Sequence, residues 1–215
     1  MKLRIATRKS QLALVQTRWV AAQIQLHDPS IEIEEVQILT RGDRIQDRPL
    51  REVGGKGLFV SEVQAALMRD DADLAVHSLK DVPGDVGLPE GMELICVPKR
   101  EVPDDWLITP GGAALDDLHA GAKVGTTSLR RICQLRAARP DLVYLPLRGN
   151  VNTRLRKLDE GEYDAIVLAG AGLRRLGMDD RPHWRIPTSI CIPAVGQGTL
   201  ALEGRADHQA LRDAL

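Results

Sequence analysis

Four arginines, Arg130, Arg131, Arg148 and Arg154, stand just past strand-like runs or in the first turn of helix-like runs. In an open α/β sheet, ligands bind beyond the carboxyl ends of the strands. A guanidinium placed there offers a planar fork that grips a carboxylate through two parallel hydrogen bonds. Several at such positions point to a ligand bearing several carboxylates or phosphates. One acid occupies the same kind of place. In "LAVHSLKDVPGD" (74–85) an apolar run ends in His77, Ser78, Lys80 and Asp81, then turns at Pro83 and Gly84. Asp81 is either the polar tip that ends a strand or a reacting carboxylate at the rim of a cleft. His77 reads as a packed or hydrogen-bonded structural residue.

Other chemistries find less support. The basic stretch 121–160 has few aromatics for stacking bases and no nucleic-acid motif, and the net charge is -1. "GGKGLF" lacks the spacing of a phosphate-binding P-loop, and "GAGLRRLG" puts Arg175 where a dinucleotide motif needs its third glycine. No second His or Cys stands at metal-ligand spacing, so no metal is expected. No nucleophile elbow or Cys–His pairing suggests a covalent hydrolase. Cys96, Cys133 and Cys191 are an odd, scattered set, which fits a reducing, cytoplasmic setting better than disulfides. The start "MKLRIATRKSQ" has no signal-peptide core, and no apolar run reaches bilayer length.

Strand-like and helix-like runs alternate and would position these residues. "LRIAT" precedes a helical run capped by Ser10, with Leu12, Val15, Trp19 and Ala22 on one face. "IEIEEVQIL" alternates like a strand, and "RGDRIQDRPLREVGGKG" reads as a long loop. "LFVSEVQAALMRD" is helical, and "DLAVHSL" and "MELICVP" are strands. "PKREVPDDW" reads as a linker, after which the pattern restarts. "AKVGTT", "LVYLPL", "YDAIVLAG" and "SICIPA" read as strands. "SLRRICQLRAA", "VNTRLRKLDEG", "GLRRLG" and "HQALRDAL" read as helices. The alternation predicts an α/β fold with mostly parallel sheets covered by helices. "LRIATRKSQLA" and "AKVGTTSLRRI" echo one another. Each is a strand followed by Thr and a Ser that opens a helix, either two ordinary capped turns or two similar lobes aiming helix N-termini at an anion.

"RIATRKSQLAL", "TRGD", "GGKGLF", "AVHSLKDVP", "VGTTSLRR", "RGNVNTRL", "YDAIVLAGAGLRRLG" and "PAVGQG" together resemble the hydroxymethylbilane synthase (porphobilinogen deaminase) family, block by block in order, from about Leu3 to Glu203. The resemblance implies two lobes like those of bilobal (type II) periplasmic binding proteins, each a mixed, mostly parallel sheet flanked by helices. Lobe one would be 1–98 with 194–215, carrying a lid loop at 41–57, and lobe two would be 103–190. It implies stepwise deaminating condensation of four porphobilinogen molecules into linear hydroxymethylbilane, in tetrapyrrole synthesis. The catalytic aspartate falls on Asp81. Arg8, Arg130, Arg131, Arg148 and Arg154 would bind the acetate and propionate groups, helped by Ser10, Lys80, Thr126, Thr127 and Ser128. One of Arg174 and Arg175 would join them. The partners implied are porphobilinogen and oligopyrrole intermediates, with no nucleic acid and no membrane, on a monomer.

The resemblance also implies a dipyrromethane cofactor, tied to a cysteine in a C-terminal third domain. This sequence stops at Leu215 without the expected Gly-Gly-Cys-type loop, so no anchoring cysteine and no third domain are expected here. Cys96 and Cys191 lie in strand-like runs, and Cys133 in a helix. A truncated enzyme, a two-lobe form completed by a separate chain, and a primer held non-covalently all fit. A binding protein for carboxylated pyrroles or other polyanions, without turnover, is the competing class. "REVPDDWLI" departs from the family by lacking an expected Arg and bringing in Trp106.

Overall fold

The computed structural model describes residues 1–40, 60–213 and 215, so the expected lid loop at 41–57 lies outside the described residues. The chain forms two units, 1–100 with 199–215 and 101–198.

In the first unit, β1 (Lys2–Arg8) leads into α1 (Gln11–His27), and β2 (Glu32–Ile38) follows. Then come α2 (Ser61–Met68), β3 (Leu74–Ser78), a single 3₁₀ turn at Leu79–Asp81 and β4 (Met92–Cys96). The sheet has the order β2-β1-β3-β10-β4, where β10 (Leu200–Arg205) returns after the excursion through the other unit and α6 (Gln209–Asp213) closes the chain. β1 runs parallel to β2 and β3, whereas β10 is antiparallel to β3 and β4. The pleat sorts side chains by parity. Leu3, Ile5, Leu74 and Val76 pack with Val20 and Ile24 of α1 on one face. Ala6 and Ala75 pack with Val63 and Leu67 of α2 on the other. Burying one such Leu or Ile contributes about 1.5–3 kcal/mol. β3 is central and covered on both faces, which is why it reads as a continuous apolar run.

The second unit repeats the plan with β5 (Asp105–Ile108), β6 (Lys123–Gly125), α3 (Leu129–Ala138), β7 (Val143–Leu145) and α4 (Val151–Asp159). β8 (Ala165–Ala169), α5 (Gly170–Arg175) and β9 (His183–Arg185) follow. The order is β7-β6-β8-β5-β9, with β6 parallel to β7 and β8, and β5 antiparallel to β8 and β9. Val124, Ala165, Val167 and Leu107 pack under Leu135 of α3. Trp106, Ile108, Ile166 and Leu168 pack under Leu155 and Leu158 of α4 and Leu173 of α5. Helices therefore cover both faces of each sheet.

Three local expectations change. The buried face of α1 is Gln16, Thr17, Val20 and Ile24, and Trp19 is exposed. Two polar residues go inside because each finds a partner. Thr17 donates to Thr7 Oγ1 at 2.8 Å, and Gln16 Nε2 to Ser78 Oγ at 3.1 Å. The supposed linker ends in a strand, since Asp105 and Trp106 open β5 inside the second sheet. "SICIPA" is not a strand. Ile190 and Cys191 turn back on the Pro187 carbonyl, and the stretch between Pro187 and Pro193 joins no strand among the described residues; Ile192 bonds the Gln134 side chain instead.

Candidate active site

β1 and β3 are adjacent and parallel, so their carboxyl ends open on the same edge of the first sheet. β1 delivers Arg8 there, and Ser10 caps α1 by accepting from Ala13 N at 3.3 Å. β3 ends in the 3₁₀ turn that carries Lys80 and Asp81, fastened where Leu79 N donates to Thr199 O at 3.0 Å. Lys80 and Asp81 are both exposed. Asp81, Arg8, Gln16, His77 and Ser78 share a recess open to solvent, with Ala13, Val60, Val63 and Val76 as its apolar wall. Among the described residues, no hydrogen bond or ion pair engages the Asp81 carboxylate. The recess thus combines a carboxylate, a guanidinium and an apolar wall.

Behind the recess lies a buried polar pair. His77 Nε2 is 2.9 Å from an oxygen of Glu203, which is fully buried on β10. Gln64 Nε2 donates to both Glu203 oxygens, at 2.9 and 3.2 Å. His77 is therefore the packed structural residue expected, buried beside the Glu203 carboxylate. Glu203 and Gln16 were missed, although an acid inside the apolar "LALEGR" is a signal of a buried, paired carboxylate.

In the second unit, the carboxyl ends of β6, β7 and β8 share one edge. After β6, Thr127 Oγ1 donates to Leu147 O at 2.6 Å and accepts from Leu147 N at 3.1 Å, clasping two loops together. Thr126 is buried and accepts from Ser128 N at 3.3 Å, and Ser128 stands at the N-cap of α3. After β7 come Arg148 and Gly149. Gly149 has φ +109°, and a Cβ on it would meet Thr153 at 2.6 Å, so only glycine permits this turn into α4. Asn150 then caps α4 by accepting from Thr153 N at 2.9 Å.

The arginines separate into two groups. Arg130 and Arg131 both bind Asp105, at 2.6 and 2.7 Å. Arg131 is buried and also donates to Val167 O at 2.9 Å. Arg154 has no carboxylate partner among the described residues; its Nε donates to Gly149 O at 2.8 Å. Burial, with the charges of Arg131 and Arg148 beside it, pushes its guanidinium from 12.5 down to about 10. Arg148 likewise has no hydrogen-bond or ion-pair partner among the described residues. Arg174 pairs with Glu101 at 2.9 Å and is exposed. Arg175 donates to Gly198 O at 2.7 Å, and burial lowers its pKa. Asp105 was missed because the stretch "REVPDDW" gives no sign that an antiparallel strand begins there.

Cys133 is exposed, Cys96 half-buried and Cys191 buried. Burial raises the Cys96 thiol, and burial with the nearby Asp105 carboxylate raises that of Cys191. Among the described residues, no group of three or more His, Cys, Asp or Glu could hold a metal ion. Nor is any helix among them long and apolar enough to cross a membrane.

Two mixed five-stranded sheets of like order, each flanked by helices, define an α/β protein. Solved structures of that fold are similar to it. The VFT2 domain of Bordetella pertussis BvgS aligns at 15% identity over 100% of this chain and 84% of its own, with a TM-score of 0.51. The regulatory domain of OxyR2 from Vibrio vulnificus gives 9%, 100%, 94% and 0.56. A probable amino-acid ABC transporter extracellular-binding protein from Bacillus subtilis, ytmK, gives 9%, 100%, 88% and 0.51. These likenesses show the fold alone. The family comes from the sequence: the model described as porphobilinogen deaminase, dipyromethane cofactor binding domain, matches residues 3–213, and the chain belongs to that family.

Proposed function

We propose that this chain carries out the hydroxymethylbilane synthase reaction, joining four porphobilinogen molecules head to tail with loss of ammonia at each step. The observation that carries this reading is the Asp81 carboxylate, exposed at the end of a central strand and without a partner among the described residues, in a chain of this family. Porphobilinogen's aminomethyl nitrogen is protonated near neutral pH, so its C–N bond breaks to release ammonia without an external acid. A cationic methylene-pyrrole remains. The next pyrrole carbon attacks it, a C–C bond forms, and that ring carbon then loses its proton. Asp81 would stabilise both cations and help move the proton. At about 4 Å the attraction is roughly 4 kcal/mol at an effective dielectric near 20, or about a thousandfold in rate.

Each pyrrole brings an acetate and a propionate. Arg8, Ser10 and Lys80 would receive them in the first unit. In the second, Arg148 and Arg154 would bind them most directly, backed by Arg130 and Arg131 and by Thr126, Thr127 and Ser128. The cationic, partly desolvated surroundings of Arg154 fit the carboxylates of a dipyrromethane, which Arg148 and Arg154 would hold. When bound, dipyrromethane supplies the pyrrole carbon at which the chain is extended. The functional division would follow the two units, with Asp81 in one and the arginine cluster in the other. Three free cysteines support a cytoplasmic assignment.

The test is turnover. Asp81→Asn should abolish porphobilinogen consumption while leaving circular dichroism unchanged, and near-normal turnover in that variant would refute the role. A wild-type chain that binds porphobilinogen without consuming it would instead be a binding protein.

A further inference from the structure

Asp105 opens β5 with its side chain wholly shielded from solvent. Its Oδ1 accepts from Arg131 Nε at 3.0 Å, from Arg131 Nη2 at 2.7 Å and from Gln197 Nε2 at 2.9 Å. Its Oδ2 lies 2.6 Å from Arg130 Nη2 and 3.6 Å from the Cys191 thiol, which donates to it. One carboxylate therefore ties the first turn of α3, the stretch 191–197 and the first residue of β5. Each guanidinium has a second fixed point: Arg131 on Val167 O, and Arg130 on Ile192 O at 2.5 Å. Two anchors on a planar group leave it little rotation, so both forks have a set direction.

We infer that Asp105 is a positioning residue for the arginine site: without touching the ligand, it orients Arg130 and Arg131 on the edge where Arg148 and Arg154 have no carboxylate partner among the described residues. The inference rests on the proposed reading of that edge as a polycarboxylate site. It carries a sign that simple electrostatics does not. Deleting a negative charge beside a cationic site should strengthen anion binding. If Asp105 works by orientation, deleting it frees two forks that must then be re-ordered when the ligand arrives, and binding weakens.

The test uses the full chain and tricarballylate, a flexible tricarboxylate, titrated calorimetrically at fixed ionic strength. Asp105→Asn should remain folded and bind about tenfold more weakly, in spite of its extra positive charge. Asp105→Glu keeps the charge but moves the carboxylate by one methylene. It should hold its thermal midpoint and still bind a few-fold more weakly, which a purely structural role does not produce. Should the Asn chain fail to fold, the Glu chain decides. Either folded variant binding as tightly as the wild type, or more tightly, overturns the inference. A separate Arg148→Gln/Arg154→Gln chain tests the underlying reading. If it binds like the wild type, the polycarboxylate assignment has failed rather than the role of Asp105.

Discussion

Arg154→Gln should make the ligand-free protein more stable, the reverse of what losing a hydrogen-bonded side chain usually does. Burial and the charges of Arg131 and Arg148 lower the Arg154 guanidinium from 12.5 to about 10. At 1.36 kcal/mol per unit, keeping this cation charged in the folded state costs about 3 kcal/mol. Residual solvent around the head group reduces that to about 2 kcal/mol. Glutamine removes the charge and keeps most of the stem. It gives up the bond from Nε to Gly149 O, worth about 1 kcal/mol. The balance is a gain of about 1 kcal/mol, or a few degrees in melting temperature. For a base with a lowered pKa, the penalty is complete at every pH below the folded value and eases only as pH rises toward about 10. The gain should therefore be flat from about pH 6 to 9. Tricarballylate supplies the anion that Arg154 does not find among the described residues. At a hundred times its dissociation constant it should stabilise the wild type by about 2.7 kcal/mol and the variant far less. Urea denaturation with and without tricarballylate reads both effects, and the stability order of the two chains should invert. A variant less stable than wild type without ligand, or stabilised equally by it, would refute the reasoning.

Two further outcomes follow from the same contacts. Gly170→Ala should destabilise the second unit by about 1–3 kcal/mol, because a Cβ there would sit 2.3 Å from the buried Trp106 ring, itself stacked on His183 at 3.8 Å; a denaturation midpoint within error of wild type would count against it. Acid stability should depend on Asp105. Burial alone would raise its carboxyl, but Arg131, Gln197 and Arg130 outweigh burial and hold it below the ordinary 3.8. Its contribution is thus full above that value and lost as pH falls through the lower folded one. The acid limb of a urea-midpoint profile should be flatter in Asp105→Asn, and an unchanged limb would show that other groups set it.

Much of the fold was legible because central strands covered on both faces must be apolar throughout. "LAVHS" and "AIVLA" are the middle strands of their sheets, β3 and β8. The echo between "LRIATRKSQLA" and "AKVGTTSLRRI" marks the first parallel strand and helix of each unit, β1 with α1 and β6 with α3. What periodicity could not give was the fourth strand of each sheet. β10 and β5 lie antiparallel beside a central parallel strand, next to the points where the chain passes between units. Each is fixed by pairing with residues far away in sequence, which no local pattern records. The apolar stripe Leu12, Val15, Trp19 and Ala22 misled for a related reason: Thr7 and Ser78 supplied partners that let Thr17 and Gln16 turn inward.

The same long-range pairing explains why the arginines looked alike. In sequence, Arg130, Arg131, Arg148 and Arg154 share one signal, a guanidinium at a strand end or helix start. Their difference is made by Asp105, 25 and 26 residues before the first two, and by the antiparallel strand that brings it there. Two cations receive an internal counter-charge and fixed directions, whereas two have no carboxylate partner among the described residues. A cluster with all four neutralised would have little electrostatic reason to hold a polyanion. A cluster with none neutralised would add the full repulsion of Arg130 and Arg131 to the burial that already lowers Arg154. One buried carboxylate among four guanidiniums keeps the edge cationic while limiting the repulsion that folding must overcome. The acid that matters most to the arginine site therefore lies in the stretch that reads, from sequence, as a linker.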